Sequence, residues 1–271
     1  MLQKLREKYR YAVILLKELV KTDFKLRYEG SVLGMLWSAL RPMMLFGVMY
    51  LVFVYFLRFG EGIPFFAVSL LLAIVLWSFF QETTSQGMRA IVDRGDILRK
   101  INIPKYVLVV SASMSALINL GINLAVVLVF AIFSGVQFTP MVFLIIPIVV
   151  ELYIFSLAVA MILSALYVKF RDLAHIWDVM MQAAYFATPI IYPLSMIIIM
   201  SPVAAKIMIL SPIAQMIQDA RNVVVYNQTE TVWSLLNFVP YMLIPLLIVA
   251  VTVVVAMLYF RKVSKRFTEL I

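Results

Sequence analysis

Six apolar stretches, at about 33–57, 65–88, 107–134, 141–167, 174–192 and 238–260, alternate along the chain with shorter segments that hold most of its charge. Each stretch approaches the roughly 20 apolar residues a helix needs to cross a bilayer, the fifth being marginal. Runs of this length are too long for strands. The predicted fold is therefore an all-α polytopic membrane protein: six transmembrane helices, an N-terminal amphipathic interface helix over 1–30, and short non-spanning helices on the outer side between helices 5 and 6. Residues 31–271 form one membrane domain.

The intervening segments carry patterns of their own. Near the N-terminus, Leu5, Tyr9, Ala12/Val13, Leu16, Leu19/Val20 and Phe24 recur every three or four residues, with Lys8, Lys17, Glu18, Lys21, Lys25 and Arg27 on much of the remaining surface. That is a basic amphipathic helix, expected to lie flat at the inner interface. In the loop 89–106, Asp96 is expected to cap a short helix starting at Ile97, and Pro104 to stop it before the third span. Ile97, Leu98, Ile101 and Ile103 on a water-facing loop imply burial against lipid or another protein. The fourth connection is short: Arg171 can snorkel to headgroups and Asp172 is placed to cap the fifth helix. Within 193–237, Ser201-Pro202 and Ser211-Pro212 each join an N-cap residue to a first-turn proline, predicting helices over about 202–210 and 212–226. They are too short or too polar to span, since Gln215, Gln218, Asp219 and Arg221 interrupt the second. They form either a surface hairpin or a re-entrant pair lining an exit path.

Charge then orients the chain. Of the 23 Lys and Arg residues, 19 fall in 1–31, the second and fourth connections and the C-terminal tail. Positive flanks stay in the cytoplasm, so both termini are expected inside and the number of spans even. A net charge of +9 invites a nucleic-acid reading, but its placement at helix ends facing anionic lipid argues against one. The chain has no cysteine and a single histidine, His175, so thiolate sites and a histidine cluster are excluded. The long, charged N-terminus does not read as a cleavable signal peptide.

Candidate chemistry is sparse. No phosphate-cradling glycine loop is present, and no nucleophile–base set or carboxylate pair at catalytic spacing stands out. Two acids fall within spans, Glu82 and Glu151. Such residues point to function by default. Glu82 lies in the polar run Gln81–Gln86, hydratable from a cavity. Glu151 is where an ion-coupled carrier would place its acid, although no basic partner is found at matching depth and a packing or neutral hydrogen-bonding role is favoured. Phe46, Tyr50 and Phe53 share one face of the first helix, and Tyr185 lies with Trp177, Phe186 and Tyr192 in the fifth. Such stripes serve packing or the interfacial belt, or stack sugar rings.

Three segments together resemble the ABC type-2 export permeases. Leu26-Arg27-Tyr28 leading through Gly34 and Trp37 to Arg41-Pro42 is similar to their passage from interface helix to first span. The second loop ending Asn102-Ile103-Pro104 is similar to their coupling region. Arg171-Asp172 followed by Pro189-Ile190-Ile191-Tyr192 is similar to their long-range motif. The nearest branch exports lipid-linked polysaccharide: O-antigen, capsule or wall teichoic acid. The resemblance implies a subunit of the bacterial cytoplasmic membrane that is not itself an enzyme. It implies a homodimer, two copies of a separate ABC ATPase that holds ATP and Mg, and an undecaprenyl-linked substrate. It also implies that Leu16, Lys17, Val20, Lys21, Phe24, Arg27 and Tyr28, with Asp96, Leu98, Arg99, Lys100, Ile103 and Pro104, meet the ATPase. Arg41, Phe46, Tyr50, Phe53 and Tyr185 would line a channel, with Arg41 able to receive a phosphate. A type-2 exporter of drugs or lipids, and an ion-coupled carrier using Glu151, are the competing expectations.

Overall fold

Every regular element among the described residues of the computed structural model is helical; these are residues 13–23, 25, 34, 36–100, 104–236, 239–264 and 267. Helix α1 covers 13–23. Helix α2 (Leu36–Met49) runs into a π-helical segment, Tyr50–Phe56, and α3 (Phe66–Arg89), α4 (Gly95–Lys100) and α5 (Tyr106–Phe133) follow. A 3₁₀ turn (Pro140–Leu144) leads into α6 (Ile145–Tyr167), then α7 (Leu173–Ala187). Five short or medium helices come next: α8 (Leu194–Met200), α9 (Pro202–Ile209), α10 (Pro212–Val224), α11 (Val232–Leu235) and α12 (Val239–Met242). The last is α13 (Ile244–Val263).

Five helical stretches are long and apolar enough to cross a bilayer: Leu36–Phe56, Phe66–Arg89, Tyr106–Phe133, Pro140–Tyr167 and Ile244–Val263. The expected fifth span differs. Helix α7 has 15 residues and stops at Ala187, because Thr188 is extended (φ −95°, ψ 140°) ahead of Pro189. A residue before proline is pushed out of the α region, so 174–192 is a helix followed by a break rather than one span. The expected sixth span also starts later than residue 238. Leu243 separates α12 from α13, and Pro245 takes a first-turn position, where its missing N–H leaves no intrahelical bond unmade.

Helix α3 is the axis of the bundle. From Val68 to Leu76 no side chain is more than 5% exposed, so the helix is covered on all sides, as expected of a central helix rather than one with a single buried stripe. It packs on α5, α6, α7, α10 and α2, and α13 packs on α6. Helices α3 and α6 come close at Gly87: a Cβ there would lie 2.7 Å from Cβ of Ala160 on α6. Small residues let two backbones approach in this way within a membrane bundle. Several hydroxyls inside the spans bond their own helices, Thr84 donating to the Phe80 carbonyl at 2.8 Å and Ser156 to that of Leu152 at 2.6 Å, while Thr83 Oγ1 is buried without a partner. Helix α2 is the opposite of α3. Leu36, Met44 and Val48 are all more than half exposed, leaving an apolar face that nothing among the described residues covers.

The two ends of the bundle differ. At one, the basic end, α1, α4, the start of α5 and the close of α13 share an apolar cluster that includes Leu15, Leu19, Leu98, Leu108, Phe260 and Phe267. At the other, α8, α9 and α11 build a small cluster of their own around Leu194, Ala205, Ile209 and Val232.

Candidate functional site

At the basic end the amphipathic helix is tied down by one ion pair. Arg94 Nη2 meets Asp23 Oδ1 at 2.5 Å, both side chains being 19% exposed. Its Nη1 donates to Ser111 Oγ at 2.8 Å and reaches the Leu108 carbonyl at 3.4 Å. One guanidinium therefore joins α1, the turn ahead of α4, and the first turns of α5. Beneath it, Leu15 and Leu19 pack on the cluster that contains Leu98. Two expectations are corrected here. Helix α4 begins at Gly95, so Asp96 sits in its first turn, where a carboxylate favours the helix dipole, instead of capping a start at Ile97. Leu98 is 7% exposed and buried against its own chain, so it is no free docking side chain. Lys105 Nζ donates to the Ser264 carbonyl at 2.8 Å, so α5 is also tied to the end of α13.

The other residues predicted at this end fall in several places. Lys17 and Lys21 are exposed, while Leu16, Val20 and Pro104 are partly buried. Phe24, Arg27, Tyr28 and Ile103, and the side chains of Arg99 and Lys100, lie outside the described residues. Asp172 stands at the N-cap of α7, yet its side chain accepts no capping hydrogen bond; only its carbonyl does, from His175 and Ile176. Arg171 is exposed and lies over the Tyr167 ring at 5.4 Å.

Further along the bundle, α2, α3 and α5 enclose a polar cavity of about 610 Å³. Trp37, Arg41 and Pro42 line it from α2, Gln81, Glu82 and Gln86 from α3, and Asn119 and Asn123 from α5. Glu82 Oε1 accepts from Asn119 Nδ2 at 2.8 Å and from Gln86 Nε2 at 3.0 Å. Gly34, with φ +48°, turns the chain into α2, and the Trp37 amide donates to its carbonyl at 3.3 Å. Glycine takes that left-handed conformation without steric penalty.

At the opposite end Arg221 of α10 is 2% exposed and fully engaged. Its Nη1 donates to the Pro189 carbonyl at 2.7 Å and to Gln218 Oε1 at 2.8 Å, its Nη2 to the Ile190 carbonyl at 2.7 Å, and its Nε to the Ser69 carbonyl at 3.2 Å. The break after α7 is held from its own side as well. Tyr192 donates to the Phe186 carbonyl at 2.9 Å and Thr188 to Ala184 at 2.8 Å. Pro189 and Tyr192 thus meet in one structure, a helix end whose free carbonyls are taken by a buried arginine and a tyrosine. Nearby, Gln215 donates to Asp219 at 2.6 Å, while Glu151 Oε1 of α6 and Gln215 Oε1 are buried without a hydrogen-bond partner. Burial raises the Asp219 carboxyl, and the Gln215 hydrogen bond partly opposes the shift.

The aromatic residues do not form one continuous stripe. Phe46 contacts Tyr50 at 5.7 Å and meets the Phe130 ring of α5 edge-on at 5.5 Å, and Phe53 contacts Phe59 at 5.6 Å. The π-helical segment begins at Tyr50, so the i, i+4, i+7 face drawn on an α-helix does not continue past it. Tyr50 is 41% exposed. Tyr185 packs edge-on against Trp77 at 5.8 Å.

The residues missed from sequence were the connectors. Asp23 and Arg94 read as ordinary surface charges, and Arg221 as an interruption of a short helix. A signal existed for Arg221, because a lone arginine in an apolar region has to find acceptors.

Comparison with known proteins gives a consistent pattern. A family model described as ABC-2 type transporter matches residues 14–225. An O-antigen export system permease protein RfbA from Myxococcus xanthus is 36% identical over 198 residues, covering 73% of this chain and 75% of the relative. A protein of the same name from Klebsiella pneumoniae is 27% identical over 265 residues, covering 96% of each chain. A second from that organism is 25% identical over 262 residues, again covering 96% of each.

Proposed function

The chain belongs to the ABC-2 type transporter family, and from that premise we propose that it is the membrane subunit of an ATP-driven exporter of O-antigen-type polysaccharide. The polymer crosses the bacterial cytoplasmic membrane attached to an undecaprenyl carrier. ATP and Mg are held by a separate ABC ATPase, present in two copies against a dimer of this chain. The observation that carries the reading is the docked basic end. The Arg94–Asp23 pair, the Lys105–Ser264 contact and the apolar cluster beneath α1 and α4 make that end one unit, able to pass on the movement of an attached ATPase as a rigid body.

In this reading the basic end is cytoplasmic, and both termini lie there. Helix α7 is the fifth of six crossings. It is short because the break after Ala187 lies inside the outer half of the membrane, where Arg221 supplies the hydrogen bonds that lipid cannot. Helices α8–α11 then sit at the outer mouth. The exposed apolar face of α2 is where the second copy or lipid packs, with Tyr50 on the side open to a path between copies.

The test is purification of the tagged chain from its native membrane, with mass spectrometry of the protein and lipid that accompany it. An ABC ATPase and an undecaprenyl-linked glycan are the expected companions. Recovery of the chain alone, with export persisting after deletion of the neighbouring ATPase, would defeat the reading.

A further inference from the structure

The cavity between α2, α3 and α5 is a concave surface of mixed polar and apolar lining, walled by helices long and apolar enough to cross a bilayer. Polar side chains within membrane-spanning helices are costly unless they pair with one another or line a cavity, and here Glu82 is paired with Gln86 and Asn119 on a cavity wall. We propose that this cavity binds a neutral sugar ring of the transported glycan, with Glu82, Asn119 and Asn123 meeting its hydroxyls and Trp37 covering its apolar face. The proposal rests on the exporter reading and adds to it a residue-level site.

The polar wall is built before any ligand arrives. Glu82 Oε1 is fixed by two donors, Asn119 Nδ2 at 2.8 Å and Gln86 Nε2 at 3.0 Å. Asn119 is only 5% exposed, so its amide has little freedom. One turn along α5, Asn123 Nδ2 bonds the Asn119 carbonyl at 2.9 Å, which orients that amide in turn. A wall so ordered forms new hydrogen bonds with little loss of side-chain entropy.

The lining selects a ligand class. Carboxamides and a carboxylate offer donors and acceptors side by side, which suits vicinal hydroxyls, each able both to donate and to accept. A hydrocarbon would leave these groups unpaired, at a penalty for every one. A polyphosphate would find a single cation, Arg41, set against the Glu82 carboxylate in the same lining, too little positive charge for several phosphate groups. A bare divalent cation would find one carboxylate where it needs six or more oxygen ligands. The indole of Trp37 is 47% exposed at the cavity wall, a flat apolar surface of the kind on which a ring stacks. A volume of about 610 Å³ is within the range of small-molecule sites.

The experiment uses the chain together with its ATPase in lipid nanodiscs. The probe is the repeat-unit oligosaccharide released by mild acid from the source strain's own surface polymer. Binding is followed by saturation-transfer NMR and titration. Glu82→Gln and Trp37→Ala should each weaken binding about tenfold, as expected for loss of a hydrogen bond to a charged group or of a stacking surface. Trp37→Phe should keep most of the affinity, and Gln228→Ala, at the opposite end of the bundle, all of it. Elution as an intact complex and an unchanged melting temperature separate lost binding from lost folding. Wild-type affinity in both Glu82→Gln and Trp37→Ala overturns the site. So does an absence of saturation transfer from the wild-type complex while cells still export polymer, and in either case the exporter reading survives. If the intact transporter exports no polymer at all, that reading falls and this one with it.

Discussion

Asp23 and Arg94 form an ion pair at 2.5 Å that fastens the amphipathic helix to the turn ahead of α4. Because Arg94 also donates to Ser111 and to the Leu108 carbonyl, removing it takes a partner from three groups, whereas removing Asp23 takes one from Arg94 alone. Arg94→Ala should therefore destabilise the purified protein more than Asp23→Ala, by about 2 kcal/mol against about 1 kcal/mol. A double-mutant cycle on melting in detergent should give a coupling of about 1 kcal/mol. The functional consequence is separable. If the pair holds the two coupling elements together, the exchanged variant Asp23→Arg/Arg94→Asp should recover ATP-dependent export beyond either single charge change. Additive losses would confine the pair to stability.

Leu98 gives a prediction opposite to the one its sequence suggests. On a polar loop it reads as a side chain waiting for a partner, so Leu98→Asp should spare the fold. It is buried under α1 with Phe260 and Phe267, so the charge would instead enter the chain's own core. Leu98→Asp should lower the yield of folded protein before any ATPase is present, and Leu98→Ala should cost about 2–3 kcal/mol of stability. A normal melting profile for Leu98→Asp, with loss of ATPase association alone, would restore the docking role.

That contrast marks how far this sequence can be read. The apolar runs placed four of the five long helices to within a few residues, because each run is bounded by charge or proline; α13 was set early only because Leu243 and Pro245 lie within its run. The proline at 189 ended α7 early for a reason visible in the chain, although apolar residues continue beyond it. Partnership was not legible. Nothing local says that Asp23 faces Arg94, or that Arg221 reaches back to Ser69, since those contacts arise only when distant helices pack. The aromatic face of the first helix failed for a subtler reason: it assumed one helical period, and the π segment from Tyr50 changes it.

Gly87 of α3 lies close against Ala160 of α6. A methyl group on Gly87 would be 2.7 Å from the Ala160 Cβ, well inside contact distance, so Gly87→Ala should force the helices apart at a cost of about 1–3 kcal/mol. Moving the methyl across, as Gly87→Ala/Ala160→Gly, removes that contact. Val109 Cγ1 at 3.4 Å keeps the compensation incomplete. Melting temperatures of the three variants decide the matter, and equal losses in the single and double variants would show that the crossing is not limited by these two atoms.

Arg221 supplies donors to three carbonyls on two other segments, and no smaller side chain can reach them all. Arg221→Lys keeps the charge but loses the planar fork, so at least one of the Pro189 and Ile190 carbonyls should go unpaired. We expect Arg221→Ala to be lost to degradation or to unfold in detergent, and Arg221→Lys to fold with stability lowered by about 1–3 kcal/mol. Hydrogen exchange should rise first across 188–193, where the break relies on these bonds. Protection there equal to wild type in Arg221→Lys would mean that Tyr192 and Thr188 suffice to hold it.

Phe46 and Tyr50 lie on the same helix and touch, yet they should respond differently to truncation. Phe46 is anchored against Phe130 of α5, so Phe46→Ala opens a gap between two helices and should lower stability by about 3 kcal/mol, carrying export and ATP turnover down together. Tyr50 keeps a large exposed surface at the start of the π segment, where little of its own chain depends on it. If a glycan passes between two copies along α2, Tyr50→Ala should reduce export severalfold while the melting temperature and ATP turnover stay near wild type. Tyr50→Phe should restore export, because a ring face needs no hydroxyl to stack. The ratio of polymer exported to ATP consumed, measured for all three variants in the same membranes, separates the roles. An unchanged ratio for Tyr50→Ala would assign the exposed tyrosine to lipid and move the path away from this face of α2.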